Sequence, residues 1–184
     1  MLAAGGGSRF AGASPKLLAD FRGRALVTWV VDAAVAAGLD DTLVVTGAVD
    51  VEGALASALA SAHVACVHND RWAGGLATSL HAGWTAAADR GHDAVVVGLG
   101  DQPLVPAEAW RRVAASTSPL AVATFSGERR PPVRLARQLW PLLPVEGDEG
   151  ARVLMGERPE LVAEVACPGE AADIDTMEDL ERWS

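Results

Sequence analysis

The residues best suited to chemistry centre on Lys16, the only lysine among 15 basic side chains. It follows a run of three glycines at residues 5–7, with Ser8 and Arg9 between them. A lysine ammonium makes compact point contacts with phosphate oxygens, whereas an arginine guanidinium binds them through a planar fork. Glycines leave their backbone amides open to a ligand, and the serine adds a hydroxyl. This spacing predicts a loop that holds the phosphates of a nucleotide.

Two well-known phosphate loops do not match this segment. The Walker loop places its lysine inside the glycine motif, whereas Lys16 lies well beyond it. The dinucleotide fingerprint needs a third glycine, and after Gly5 and Gly7 the corresponding position is Phe10. A nicotinamide-dinucleotide oxidoreductase is therefore a weaker alternative, and a plain glycine turn with surface charges is another.

An acidic residue, Asp101, follows the apolar run at residues 94–100, which has the composition of a buried parallel strand. Ligands of open α/β sheets bind beyond the carboxyl ends of the strands, so a carboxylate there is placed to hold Mg2+ against nucleotide phosphates. Asp-x-Pro sequences also begin turns and cap helices. Both interpretations of Asp101 stay open on the sequence alone.

A second acidic pair, Asp173 and Asp175, lies near the end of the chain. Alternate residues of an extended segment point to the same side, so these carboxylates can together complete a metal site. Asp175 could instead interact with the N-terminus of a helix that begins near Thr176, which is predicted to be capped through Asp179.

Short β-rich runs alternate with helical stretches as far as residue 125, which predicts a mainly parallel, Rossmann-like α/β sheet flanked by helices. We expect a single domain, 1–184, with an insertion beside the sheet over about residues 126–158. Only four residues precede the glycines, which predicts a short first strand unless the native start lies upstream. The predicted strands are residues 2–4, 42–46, 64–67, 94–99, 120–124 and 161–165, and the predicted helices cover residues 26–33, 51–62 and 76–87.

The net charge of −9 argues against binding to nucleic acid or to an anionic membrane. No apolar run approaches the length of about 20 residues that a membrane helix needs. The first residues lack the pattern of a secretory signal, so the expected location is cytoplasmic.

Five blocks of chemistry-bearing sequence follow one another across nearly the whole chain. Their order and composition resemble the MobA-like NTP transferases, most closely the molybdenum cofactor cytidylyltransferase branch. The resemblance implies an α/β fold of the nucleotide-diphospho-sugar transferase type. The blocks are residues 2–10 with 16–18, then 69–80, 100–103, 147–152 and 173–176.

The resemblance also implies a reaction, in which CMP or GMP passes from an NTP to a phosphorylated acceptor such as molybdopterin and pyrophosphate is released. By position, Arg9, Lys16 and Asp101 would be catalytic. Asp101, Asp175 and Asp173 would hold Mg2+. The implied nucleotide-binding residues are Leu2, Ala3, Ala4, Gly5, Gly6, Gly7, Ser8, Asn69, Gly75 and Ser79.

Two details bear on the substrates that the resemblance implies. The Ala3–Ala4–Gly5 form is similar to the cytidylyl branch, which favours CTP. The segment at residues 129–133 departs from the Gly-His-Pro often seen there, so a different phosphorylated acceptor is an alternative to molybdopterin. A non-catalytic protein that binds nucleotide or cofactor and delivers it to a molybdoenzyme or chaperone partner is a further alternative.

Overall fold

The computed structural model describes all 184 residues, as nine strands and six α-helices. No helix is both long and apolar enough to cross a membrane. The strands are β1 (Leu2–Ala3), β2 (Asp20–Phe21), β3 (Arg24–Ala25), β4 (Thr42–Thr46), β5 (Val64–His68), β6 (Ala94–Val97), β7 (Leu120–Phe125), β8 (Glu128–Ala136) and β9 (Val162–Ala166). The helices are α1 (Leu26–Ala36), α2 (Ala56–Leu59), α3 (Leu76–Asp89), α4 (Ala107–Ala114), α5 (Ala151–Glu157) and α6 (Met177–Trp183).

Seven strands form one twisted layer in the order β5-β4-β1-β6-β8-β7-β9. Its two halves meet where Leu2 pairs with Leu99 in parallel, through hydrogen bonds that Leu2 exchanges with Gly98 and Gly100. Every neighbouring pair is parallel except the two that involve β8. The predicted mainly parallel α/β fold is thus confirmed, and the carboxyl ends of β1, β4, β5 and β6 lie at one edge.

The long antiparallel strand β8 corrects the expectation that residues 126–158 lie beside the sheet. Val133 and Leu135 are buried between β6 and β7, so this part of the segment belongs to the core. Three arginines and two prolines hid the strand, because proline cannot donate to a ladder and normally excludes a central strand. The register shift in β7 between Val122 and Ala123 lets the chain pass the prolines without ladder pairing there.

Smaller differences have local causes. The predicted helix at residues 51–62 is helical only over α2, because the segment before it, which contains Gly53, forms turns. The first strand is two residues long. The C-terminal helix begins as expected, and Thr176 and Asp179 form a reciprocal capping box.

Two apolar clusters lie on the two faces of the sheet and fix its position. One cluster packs α1, α4 and α6 against the sheet around Val30, Trp110 and Leu180. The other packs α3 and α5 against β7 and β8 around Leu80 and Leu135. Helices packed on both faces keep the sheet rigid, so the core fixes the positions of the loops at its carboxyl edge.

Candidate active site

The glycine loop leaves β1 at the carboxyl edge of the sheet, next to the ends of β4 and β6. The backbone amides of residues 5–9 donate no hydrogen bond to any group in the chain. Gly7 has a φ of 63°, and a Cβ added there would lie 3.0 Å from the Cβ of Lys16. The loop therefore packs on the lysine stem and leaves a row of free donors, which is how backbone amides bind anions.

Lys16 stands between this loop and two carboxylates. Its Nζ donates to Asp101 Oδ2 at 2.6 Å and to Asp175 Oδ1 at 3.0 Å. Arg9 lies nearer to solvent than Lys16, and its guanidinium contacts Asp175 Oδ2 at 3.0 Å. The lysine side chain is 11% exposed and the Arg9 side chain 76% exposed. We call these four residues the Lys16 cluster; it brings both predicted cations onto two of the predicted metal ligands.

The protonation of Lys16 follows from these contacts. Burial by itself would lower the pKa of Lys16, but the attraction of Asp101 and the hydrogen bonds to Asp101 and Asp175 outweigh burial and raise it. The lysine is therefore a firmly charged ammonium at neutral pH. A charged head of this kind can stabilise phosphate oxygens but cannot act as a general base.

Asp173 lies beside the cluster without joining it. The buried amide of Gln102 donates to Asp173 Oδ1 at 2.9 Å, and the backbone N–H of Ile174 donates to the carbonyl of Asp101 at 3.0 Å. Burial raises the pKa of Asp173, and repulsion from Asp101 and Asp175 adds to the rise, against the bond from Gln102. Gln102 was not predicted as a site residue, although it directly follows the predicted aspartate.

The three predicted metal ligands differ in their contacts. No group of three or more His, Cys, Asp or Glu side chains lies together in the structure, and Asp173 accepts from Gln102 rather than from Lys16. Asp101 and Asp175 nevertheless converge on one ammonium nitrogen, and Asp101 Oδ1 is buried with no hydrogen-bond partner. Mg2+ is commonly bound by one or two carboxylates together with substrate phosphates. The two aspartates fit a divalent cation that a nucleotide helps to hold.

The predicted base-binding residues Asn69 and Ser79 lie close together, and their side chains bond each other. Asn69 Nδ2 donates to Ser79 Oγ at 3.0 Å and to Thr78 Oγ1 at 2.9 Å, and its Oδ1 accepts from the Arg71 N–H at 3.0 Å. All three side chains are buried. They therefore fasten α3 to the end of β5 and hold the loop in which Trp72 lies.

Gly75 has a structural reason to be glycine. Its φ is 99°, and a Cβ there would lie 2.5 Å from the Gly147 carbonyl oxygen. The same region caps α3, because Asp148 Oδ1 accepts from the Leu76 N–H at 3.2 Å and Gly147 O from the Ala77 N–H at 2.8 Å. The block at residues 147–152 is thus docked on the predicted nucleotide side.

Trp72 lies against the glycine loop with its side chain open to solvent. The residue is 39% exposed, and a Cβ added at Gly6 would lie 3.7 Å from its ring. A Cβ at Gly47, after β4, would lie 2.7 Å from the Trp72 Cβ. The indole thus borders the free amides of the loop, where a nucleobase could stack on it.

A cleft of about 520 Å³ opens beside the cluster, between β8, α3 and α5. Arg130 and Arg152 line it and make no ion pair, whereas Arg129 pairs with Glu164 at 2.7 Å. Gln102 and Asp173 form the wall shared with the Lys16 cluster. We call this space the arginine cleft. Its apolar lining comprises Leu2, Leu76, Leu80, Val97, Leu99, Val122, Pro131, Val133, Leu135, Ala151 and Met155.

Comparison with known proteins agrees with this geometry. A nucleotidyl transferase from Methanothermobacter shares 28% identity and a TM-score of 0.82, over 98% of this chain and 92% of that one. The Mycobacterium tuberculosis protein Rv0371c, solved in complex with manganese, shares 26% identity and a TM-score of 0.74, over 99% and 94%.

One relative of this chain is an oxidoreductase by name rather than a transferase. The nicotine blue oxidoreductase of Paenarthrobacter nicotinovorans is 30% identical in an alignment of 195 positions that covers 99% of this chain and 93% of that protein. The family model for the MobA-like NTP transferase domain matches residues 1–162. The chain belongs to the MobA-like NTP transferase family.

Proposed function

We propose that this protein is a metal-dependent nucleotidyltransferase that moves CMP, or GMP, from an NTP to a phosphorylated acceptor and releases pyrophosphate. The Lys16 cluster carries the proposal, because it places two cations and two carboxylates directly beside a loop of unpaired amides. Transfer of a nucleotidyl group depends mainly on positioning and charge neutralisation, which such a site supplies.

The chain's own residues would bind the triphosphate from two sides. The free amides of residues 5–9 would donate hydrogen bonds to phosphate oxygens, and Lys16 and Arg9 would neutralise the charge of those oxygens. An oxygen of the acceptor phosphate attacks the α-phosphorus in line; the bond to the bridging oxygen breaks, and its electron pair leaves with pyrophosphate. Mg2+ held by Asp101 and Asp175 would supply further charge neutralisation on the phosphates.

The arginine cleft is the proposed place of the acceptor. Its two unpaired guanidinium groups, Arg130 and Arg152, suit a phosphate, and its apolar lining suits a ring system. Molybdopterin combines a phosphate with a ring system and is the first acceptor to test. The Ala3–Ala4–Gly5 form of the loop supports CTP as donor.

A pyrophosphate-release assay tests the proposal with four NTPs, Mg2+ and a panel of phosphorylated acceptors, molybdopterin first. We expect release with CTP or GTP that depends on both the metal and the acceptor. Asp101→Asn should lower it on the order of 10²-fold, whereas Asp32→Asn, in an exposed ion pair with Arg24, should leave it intact. Nucleotide binding without release in any combination would indicate the non-catalytic delivery protein instead.

One observation favours a second function. The similarity to nicotine blue oxidoreductase covers nearly the whole chain, so reduction of an organic substrate with a nicotinamide cofactor is a separate candidate. Fluorescence titration with NADPH, run beside CTP with Mg2+, separates the two functions. Saturable binding of NADPH, with none of CTP or GTP, would favour the oxidoreductase.

A further inference from the structure

We propose that Lys16 is a placeholder cation, which occupies the position between Asp101 and Asp175 until a nucleotide phosphate draws its ammonium away. Metal and nucleotide would then bind strongly only together. This inference rests on the proposed function, because it takes the Lys16 cluster to be the metal and nucleotide site.

The charge balance of the cluster supports this role. Two carboxylates face two cations, and Lys16 alone bonds both carboxylates, at 2.6 and 3.0 Å. Arg9 touches only Asp175 and is largely exposed, so it cannot replace the lysine at Asp101. If Lys16 left without a substitute, both partly buried carboxylates would lose their main compensating charge, which is unfavourable.

The lysine also has a destination. Its Cβ, Cδ and Cε are the atoms that a side chain at Gly7 would meet, at 3.0 to 3.9 Å, so the stem runs along the loop. The unpaired amides of residues 5–9 mark where a phosphate would lie. A flexible four-carbon stem lets the ammonium turn from the carboxylates to that phosphate without moving the backbone.

Binding of the metal alone, or of the nucleotide alone, leaves charged groups of the cluster without partners. A divalent cation must expel the ammonium, which then has no anion to accept it. A phosphate that attracts the ammonium leaves Asp101 without a cation and leaves Asp175 with only the exposed Arg9. When both ligands bind, every charge regains a partner. Metal and nucleotide should therefore increase each other's affinity by the same factor, as linkage requires.

Direct measurement of Mn2+ binding tests the proposal without any assay of turnover. Bound Mn2+ is followed by electron paramagnetic resonance, with and without CTP, in the wild type and in Lys16→Met. Without nucleotide, Lys16→Met should bind Mn2+ about tenfold more tightly than the wild type, because no ammonium competes. The matched control Arg24→Met, in an exposed pair, should not change the affinity. Equal or weaker Mn2+ binding by a folded Lys16→Met would overturn the proposal.

A second measurement uses the wild-type chain, in case Lys16→Met does not fold. Because the chain contains one lysine, protein labelled with 13C-lysine gives a single Cε signal that reports Lys16 alone. Mg2+ alone should leave this signal in place, and Mg2+ with CTP or GTP should shift it. A full shift by Mg2+ alone would contradict the placeholder role. If no nucleotide shifts the signal, the proposed function fails, whereas the Mn2+ comparison still decides the present inference.

Discussion

The Lys16 cluster and the arginine cleft share a wall but carry their charges differently. In the cluster, both cations are bonded to carboxylates. In the cleft, Arg130 and Arg152 make no ion pair, although the carboxylates of Asp148, Glu149 and Asp173 line the same space beside apolar side chains. Paired charges keep a site ordered and must be exchanged when a ligand binds, whereas unpaired, solvated charges are available directly.

This difference predicts separate roles for the two regions. Loss of a charge in the cluster leaves a partner uncompensated and should affect nucleotide binding and turnover together. Loss of an arginine in the cleft breaks no ion pair, so we expect it to affect only the acceptor. Substitutions on the two sides therefore either separate the two substrates or contradict the division.

The largest effect is expected at Asp101. Asp101→Ala removes the carboxylate closest to Lys16 and one proposed metal ligand, so kcat should fall on the order of 10²–10³-fold. Pyrophosphate release at saturating CTP and Mg2+ measures this, with Asp32→Ala as the surface control. Activity within a factor of three of the wild type would remove Asp101 from the site.

The cleft should respond in KM for the acceptor. Arg130→Ala with Arg152→Ala removes both unpaired guanidinium groups, and we expect the acceptor KM to rise about 10–100-fold while the CTP KM stays constant. Arg129→Ala is the matched control, because Arg129 lines the same cleft but is already paired with Glu164. A parallel rise in the CTP KM would break the proposed division.

Lys16→Arg tests whether the cluster needs a compact ammonium as well as a positive charge. A planar guanidinium is larger than the ammonium that contacts both Asp101 and Asp175, so we expect the affinity for CTP with Mg2+ to fall about tenfold. Calorimetric titration gives the dissociation constant. Unchanged affinity would mean that the single lysine of this chain has no special role.

Trp72 should contribute less. If a base stacks on the exposed indole, Trp72→Ala should weaken nucleotide binding about fivefold, and Trp72→Phe should recover most of the loss. The same titration measures both variants. An equal loss in the two variants would indicate that the indole only supports the glycine loop.

The smallest effect concerns the shared wall and depends on pH. The raised pKa of Asp173 contributes stability below its ordinary value of 3.8, and this contribution is lost as the pH rises through the folded-state pKa. Asp173→Asn imitates the protonated form. Near pH 7 the Tm of this variant should exceed that of the wild type. The difference should be only about 1–2 °C, because solvent screens this half-buried group, and it should vanish below pH 3.8. A lower Tm near pH 7 would contradict this account of Asp173.

The sequence predicted the cluster better than the cleft for a physical reason. Glycines, a lysine and strand-end aspartates are local signals, and parallel strands bring their carboxyl ends to one edge. Strand β8 gave no such signal, because its prolines and arginines resemble a loop. The two-residue turn Ser126–Gly127, with φ values of 50° and 86°, was the one local sign of a hairpin.

The pairing within the cluster also lay beyond the sequence. Lys16 contacts Asp175 because the C-terminal segment that contains Asp175 is held next to the loop after β6, where the Ile174 N–H donates to the Asp101 carbonyl. The buried side-chain amide of Gln102 donates to Asp173, which makes no contact with Lys16, unlike Asp175. Such contacts depend on the final topology rather than on any local pattern. This explains why three aspartates were expected and two converge.

Calorimetric titration of the wild type and Asp101→Asn with CTP and GTP, with and without Mg2+, measures directly whether nucleotide binding depends on a metal held by Asp101. We expect one nucleotide to bind the wild type tightly with Mg2+ and far more weakly without it. We also expect Asp101→Asn to lose this dependence on the metal. Equal binding with and without Mg2+, or no binding of either nucleotide, would contradict a metal-dependent nucleotidyltransferase site at Lys16.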